Sequence, residues 1–197
     1  NPFKKKEVRQ ALYQAIDIEA IKKKVMRGLS EPAGIITFPG VNGYTKELDK
    51  RLPYDVDAAK KLLADAGYPK GFDVELRCPN DRYVNDEAIC TAVVGMLGKI
   101  GVNVNLFAQT KSKHFKELKE DKGDFYMLGW GVPTLDSHYV FHYLYESGAS
   151  WNKVNFSNSE VDAAIRVMEG EVDLDKRNAA IANAWKIVKD DISYLPL

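Results

Sequence analysis

Apolar positions recur along this chain in two alternating rhythms, one helical and one extended. Val8, Leu12 and Ile16 fall four residues apart and predict a helix over 5–16. Asp17 stands where a cap is needed for a second helix, which runs to about Met26 and ends at Gly28. Residues 29–53 carry Pro32, Gly34, Pro39, Gly40, Gly43 and Pro53. That density of breakers predicts an irregular loop, with room for a short strand at 35–38. A helix over 55–66 follows, capped by Asp55, with Ala59, Leu62, Leu63 and Ala66 on its apolar face. Gly67 supplies its left-handed stop, and Pro69 prevents continuation.

The rhythm then shortens to two. Val74, Leu76 and Cys78 alternate with Asp73, Glu75 and Arg77, the pattern of a half-buried strand. A polar loop at 79–84 leads into a helix over about 85–100, with Ile89, Val93, Met96, Leu97 and Ile100 inward. Val102, Val104 and Leu106 form the next alternating strand, and a short helix near 112–120 packs through Phe115 and Leu118. The run 124–130 is different: Phe125 to Leu128 are all apolar or aromatic, so both faces should be covered. It is expected to be the central strand. After an aromatic-rich stretch to Phe156, helices at 159–169 and 174–190 close the chain. Val161, Ile165 and Met168 face inward on the first; Ile181, Trp185 and Val188 do so on the second, with Asp173 as cap. Helices alternating with strands imply an α/β layer architecture.

Bulk properties narrow the function classes. The 197 residues suffice for one domain, or for one lobe of a larger protein. Lys plus Arg and Asp plus Glu are 28 each, so the net charge is zero, which argues against a nucleic-acid partner. No apolar run is long enough to cross a bilayer. The chain begins without Met and without a signal peptide, and so reads as an excised piece. Cys78 and Cys90 are read as two isolated, partly buried thiols, although an oxidising compartment would permit a bridge.

Three ordered motifs carry a family resemblance. Residues 2–17 read Pro-Phe-x4-Val-Arg-x-Ala-Leu-x2-Ala-Ile-Asp. Residues 54–72 read Tyr-x4-Ala-Lys-x-Leu-Leu-x2-Ala-Gly-Tyr-Pro-x-Gly-Phe, and Asp124-Phe125 leads to Gly129-Trp130. The acidic pair Asp190-Asp191 and the final Pro196-Leu197 match the same pattern. Together they resemble the family 5 extracellular solute-binding proteins, the oligopeptide, dipeptide and nickel receptors of ABC importers. The resemblance implies a type II periplasmic-binding-protein-like lobe, a mixed sheet flanked by helices. Residues 1–197 would be a single α/β lobe whose partner lobe is absent. It also implies a periplasmic or cell-surface location, a membrane permease as partner, a monomeric state and binding without chemistry.

The candidate binding residues lie on two loops. In open α/β sheets, ligands sit beyond the carboxyl ends of the strands. One such loop carries Asn80, Arg82 and Tyr83; the other begins with Trp130 and Gly131 and includes Asp136 and His138. Trp130, between two glycines, can present a flat apolar face while its N–H seeks a partner; otherwise it plugs the core. Arg82 could grip a carboxylate bidentately, or stay solvated. In peptide-binding relatives an Asp about three residues beyond the Trp holds the ligand's amino terminus, but Pro133 stands there. Asp136 matches the following Asp of the family pattern; the alternative is that Asp136 or Ser137 caps a helix starting at 138.

His138, His142 and Glu146 are spaced i, i+4, i+8, which would place two imidazoles on one helix face. The spacing is weak evidence and the surrounding aromatics suit packing, so a metal site is not expected; His-Glu-x-x-His is absent, so no metallopeptidase is implied. No phosphate loop, paired-Cys motif or nucleophile elbow is present, so neither an enzyme nor a cofactor is expected. The reading is a receptor for peptide. Alternatives are a non-peptide solute such as a metal chelate, sugar or opine-like molecule, and a solute-sensing domain of a transcription regulator.

Overall fold

Three strands form one sheet in the order β2-β1-β3, with β1 at Phe72–Pro79, β2 at Val102–Gln109 and β3 at Phe125–Tyr126. The computed structural model describes residues 1–197, all of the chain. It comprises two compact units, one of Asn1–Pro32 with Leu52–Gly129, the other of Ala33–Arg51 with Trp130–Leu197.

The sheet belongs to the first unit. β1 pairs with β2 from Phe72↔Val102 to Pro79↔Gln109, and with β3 only at Leu76↔Phe125 and Arg77↔Tyr126. Every pairing is parallel, where a mixed sheet was expected. The crossovers require it: α4 (Asp86–Gly98) carries β1 to β2, and α5 (Lys111–Lys119) carries β2 to β3. The central strand is therefore β1, and the expectation for 124–130 is corrected. That run leaves the sheet after Tyr126. Its apolar content serves packing: the Met127 sulfur lies 3.8 Å from Cys78 Sγ and 3.6 Å from Cys90 Sγ.

Those cysteines are bridged, which corrects the free-thiol reading. Cys78 ends the buried row of β1, and Cys90 occupies the inner face of α4 with Ile89, Val93 and Leu97. Strand and helix meet there with 6.6 Å between the two Cα atoms, within the reach of a disulfide. Local sequence could not reveal that approach.

His114 fixes α5 to the end of β3. It is fully buried, and its Nε2 lies 3.0 Å from the Met127 carbonyl oxygen, so Nε2 donates. Burial lowers its pKa, which favours the neutral ring. In the same unit, α1 (Lys6–Ala15) packs on α3 (Val56–Asp65). Ala11, Ala15 and Ala59 are fully buried, and their small side chains let the helices approach closely. The expected caps form: Asp17 Oδ1 accepts from the Ala20 N–H at 2.9 Å, and Asp55 Oδ1 from the Ala58 N–H at 2.8 Å. α2 (Ile18–Ala20) continues directly as a π-helical turn, Ile21–Val25.

The second unit is helical. α6 (His138–Val140) runs into a π-helical turn, Phe141–Tyr145, and is followed by α7 (Ser159–Gly170) and α8 (Leu174–Asp191). Trp185 of α8 is 1% exposed and lies 4.6 Å, centroid to centroid, from Phe141. Its indole N–H donates to Ser137 Oγ at 2.9 Å, and the Ser137 hydroxyl donates to the Asn42 carbonyl at 2.6 Å. Gly43 follows in left-handed backbone, φ +92°, and a Cβ there would lie 2.6 Å from Ser137 Oγ.

The strand expected at 35–38 does not form. Side chains meet the backbone of that loop instead: the Gly34 N–H donates to Asp49 Oδ1 at 2.7 Å, Arg51 donates to the Ala33 and Pro196 carbonyls, and Lys189 donates to the Leu48 and Lys50 carbonyls. No helix is long and apolar enough to cross a membrane.

Candidate functional site

In the first unit, the loop after β1 is built around Asp86. Its carboxylate accepts from the backbone N–H groups of Arg82 and Tyr83, both at 3.0 Å, and from that of Glu87 at 2.9 Å. Burial pushes this carboxyl up, but the backbone donors outweigh it and hold the pKa below the ordinary value. The folded loop leaves the Asn80 and Arg82 side chains exposed, with the Arg82 guanidinium 5.1 Å from the Tyr83 ring centroid. The Tyr83 hydroxyl donates to the Gly129 carbonyl at 3.4 Å. Gly129 makes room for that ring, since a Cβ there would sit 2.6 Å from Tyr83 Cε1. Because β1 and β3 are parallel, their carboxyl ends share one sheet edge, and Tyr83 and Gly129 meet at it.

In the second unit, Trp130 heads an aromatic cluster. Tyr139, Tyr143 and Trp151 surround it at centroid distances of 6.0, 5.9 and 5.9 Å, and Tyr139 and Tyr143 are 4.8 Å apart. One turn of α6 and its π continuation supplies both tyrosines. All four residues are half-buried, so the cluster keeps exposed aromatic surface. The Trp130 indole N–H is buried and has no hydrogen-bond partner. An unmet buried donor costs about 1–3 kcal/mol, and within a binding surface a ligand acceptor relieves that cost. Gly131 is exposed, with nothing near the position a Cβ would take.

Asp136 is engaged by its own chain. Arg177 of α8 donates to both carboxylate oxygens, at 2.8 and 2.9 Å; Asn42 Nδ2 donates at 3.1 Å and the His138 N–H at 2.9 Å. Four donors match the acceptor capacity of a carboxylate. Burial raises the Asp136 pKa, but the bonds from Arg177, Asn42 and His138, in that order, bring it down to about 2. The bond to the His138 N–H lies at the start of α6, whose cap position is Ser137, without a side-chain capping bond. A ligand ammonium would have to displace one of these donors.

His138 stacks on His142, with centroids 5.5 Å apart and planes 23° off parallel. Its Nε2 lies 3.3 Å from Glu169 Oε1. Arg177 and Glu169 were not singled out in the sequence; they stand 41 and 31 residues from their partners on other helices, and no local spacing marks them.

The sequence model of the "Bacterial extracellular solute-binding proteins, family 5 Middle" matches residues 1–152. The chain belongs to solute-binding protein family 5. Among family 5 relatives, heme-binding protein A of Haemophilus influenzae is 29% identical over 204 residues, covering 100% of this chain and 37% of that protein. The solved structure of AgaA from A. tumefaciens R10 in complex with agropinic acid is 26% identical, with a TM-score of 0.89 over 100% of this chain and 40% of that one. A dipeptide-binding protein from Pseudoalteromonas sp. SM9913, in complex with Met-Leu, is 27% identical, with a TM-score of 0.85 over 99% and 39%. The chain thus spans about two-fifths of the length of these family 5 proteins, and its fold is theirs, a type II periplasmic-binding-protein architecture.

Proposed function

We propose that this chain is one lobe of the substrate-capturing receptor of a bacterial ABC importer, and that its substrates are short peptides. The observation that carries the reading is the Trp130 cluster: an aromatic surface holding one buried, unpaired N–H, on a chain of solute-binding family 5. Largely apolar walls with a few placed polar groups are what small-solute sites present. The second lobe would come from sequence outside this chain. In this reading ligand binding stabilises a closed state, the closed state docks on a membrane permease outside the cytoplasm, and the solute is released unchanged. Asn80, Arg82, Tyr83, Gly131 and His138 are proposed as further contacts, with Arg82 facing a ligand carboxylate.

A second reading keeps the receptor and changes the solute. The Asp136 carboxylate is spent on Arg177, Asn42 and His138, so an amino terminus finds no free acceptor there. That favours a non-peptide solute of the agropinic-acid kind. Calorimetric titration of the full-length protein with di- and tripeptides tests the first reading. Micromolar binding that weakens at least about tenfold in Trp130→Ala, the equivalent of about 1.4 kcal/mol, is expected. No peptide binding, or binding indifferent to Trp130→Ala, contradicts it.

A further inference from the structure

The His138–His142 pair becomes more than a spacing once α7 is in place. Glu169, at the end of α7, brings a carboxylate to the two rings, and the ligating atoms of His138, His142 and Glu169 all lie within 4.8 Å of one another. Glu169 Oε1 is 3.3 Å from His138 Nε2 and 3.9 Å from His142 Nδ1. Four-coordinate zinc with metal–ligand bonds of about 2.0–2.1 Å has ligand atoms about 3.3 Å apart along each tetrahedral edge. Of the three separations, one already has that value, a second exceeds it by about half an ångström, and the one between the two imidazole nitrogens is at most 4.8 Å, so the rings must draw together by a rotamer adjustment to close on an ion.

The electrostatics point the same way. His142 Nδ1 is buried and makes no hydrogen bond, although Glu146 Oε2 stands 2.8 Å away, out of line for one. An imidazole lone pair surrounded by carboxylate oxygens is unfavourable unless a positive charge lies among them. A proton on Nδ1 would be badly directed toward either oxygen. A metal ion bonds wherever the lone pairs converge. The two rings stack with planes 23° off parallel, on α6 and its π-helical turn, and bring one nitrogen each to the Glu169 carboxylate. π-Helical turns are rare and frequently mark functional sites. The side chains are 30%, 42% and 46% exposed for His138, His142 and Glu169, so an ion can enter from solvent.

We propose that His138, His142 and Glu169 form a binding site for a zinc-class divalent metal ion. Two imidazoles and one carboxylate fill three positions of a tetrahedron, and Glu146 or a water takes the fourth. Nitrogen-rich donor sets select zinc, cobalt, nickel or copper over calcium and magnesium, which prefer all-oxygen shells. The site shares His138 with the proposed solute contacts, but it lies wholly on α6, its π turn and α7, and needs neither peptide nor permease to form.

The test is calorimetric titration of the metal-free full-length protein, any histidine tag removed, with Zn²⁺ alone, paralleled by Co²⁺ monitored through its visible absorption. One equivalent is expected to bind, with the intense spectrum of four-coordinate cobalt. His138→Ala, His142→Ala and Glu169→Gln are each expected to weaken binding at least about tenfold, since loss of even an outer-shell partner typically costs that much. Their circular dichroism without metal should remain that of the parent. A parallel titration with Mg²⁺ provides the comparison for binding by oxygen ligands alone. No stoichiometric zinc binding, binding unchanged in the three variants, or equal affinity for Mg²⁺ would overturn the proposal.

Discussion

Arg177 holds Asp136 with both ends of its guanidinium, at 2.8 and 2.9 Å, and so ties α8 to the segment that leads into α6. The same carboxylate reaches Asn42, and the Asn42 carbonyl accepts from Ser137, which in turn accepts from Trp185. The connection is one network from the core of α8 to the loop at 42. It fixes the helix that presents Tyr139 and Tyr143 to Trp130.

Removing the guanidinium should be costly. Arg177→Leu leaves a half-buried carboxylate with two of its four donors gone. Hydrogen bonds to charged groups contribute about 1.5–3 kcal/mol each, and solvent reaching Asp136, 23% exposed, moderates the loss. A destabilisation of about 2 kcal/mol in urea unfolding is expected. Asp136→Asn keeps the shape but sets an amide N–H2 against donors and leaves the Arg177 charge unpaired, so it should be destabilising as well.

Acid should dissolve the same contact. The Asp136 carboxyl titrates at about 2 in the folded chain against an ordinary value of 3.8. Between those values the unfolded chain takes up a proton that the folded chain does not, so stability falls as the pH falls. The contribution is complete above about pH 5, amounts to about 2 kcal/mol and is largely gone near pH 2. Asp86 and Glu117, also lowered, add slopes of the same sign. Unfolding free energies of the parent and Arg177→Leu should therefore differ at pH 6 and converge toward pH 2; a constant difference would show that the pair does not set the Asp136 pKa.

The Cys78–Cys90 bridge closes a short loop, a sequence separation of 12. Constraining an unfolded loop of that size is worth about 3 kcal/mol. A Cys78→Ser/Cys90→Ser double variant is expected to unfold at correspondingly lower urea. The parent should show the same drop on adding a reductant, and the double variant should show none.

Much of the fold is legible in the sequence because its signals are local. Asp17, Asp55 and Asp173 cap where their positions predict, and the period-two rows at Val74 and Val102 form the paired strands. The failure at 124–130 has a physical reason. An unbroken apolar run states that side chains are buried, not that the backbone is in a ladder. Here Met127 turns its sulfur to the disulfide and gives its carbonyl to His114. The candidate site was half legible for a related reason. Trp130 between two glycines advertises itself, whereas the partners that decide what Asp136 and His138 can do, Arg177 and Glu169, arrive from distant helices through tertiary packing alone.

The central claim, a receptor that captures peptides, is tested most directly by native mass spectrometry of the full-length protein purified gently from its own host. A ladder of bound masses matching short peptides is the expected result. A single defined non-peptide mass, retained after gentle purification, would contradict the peptide reading and leave the solute to be read from that mass.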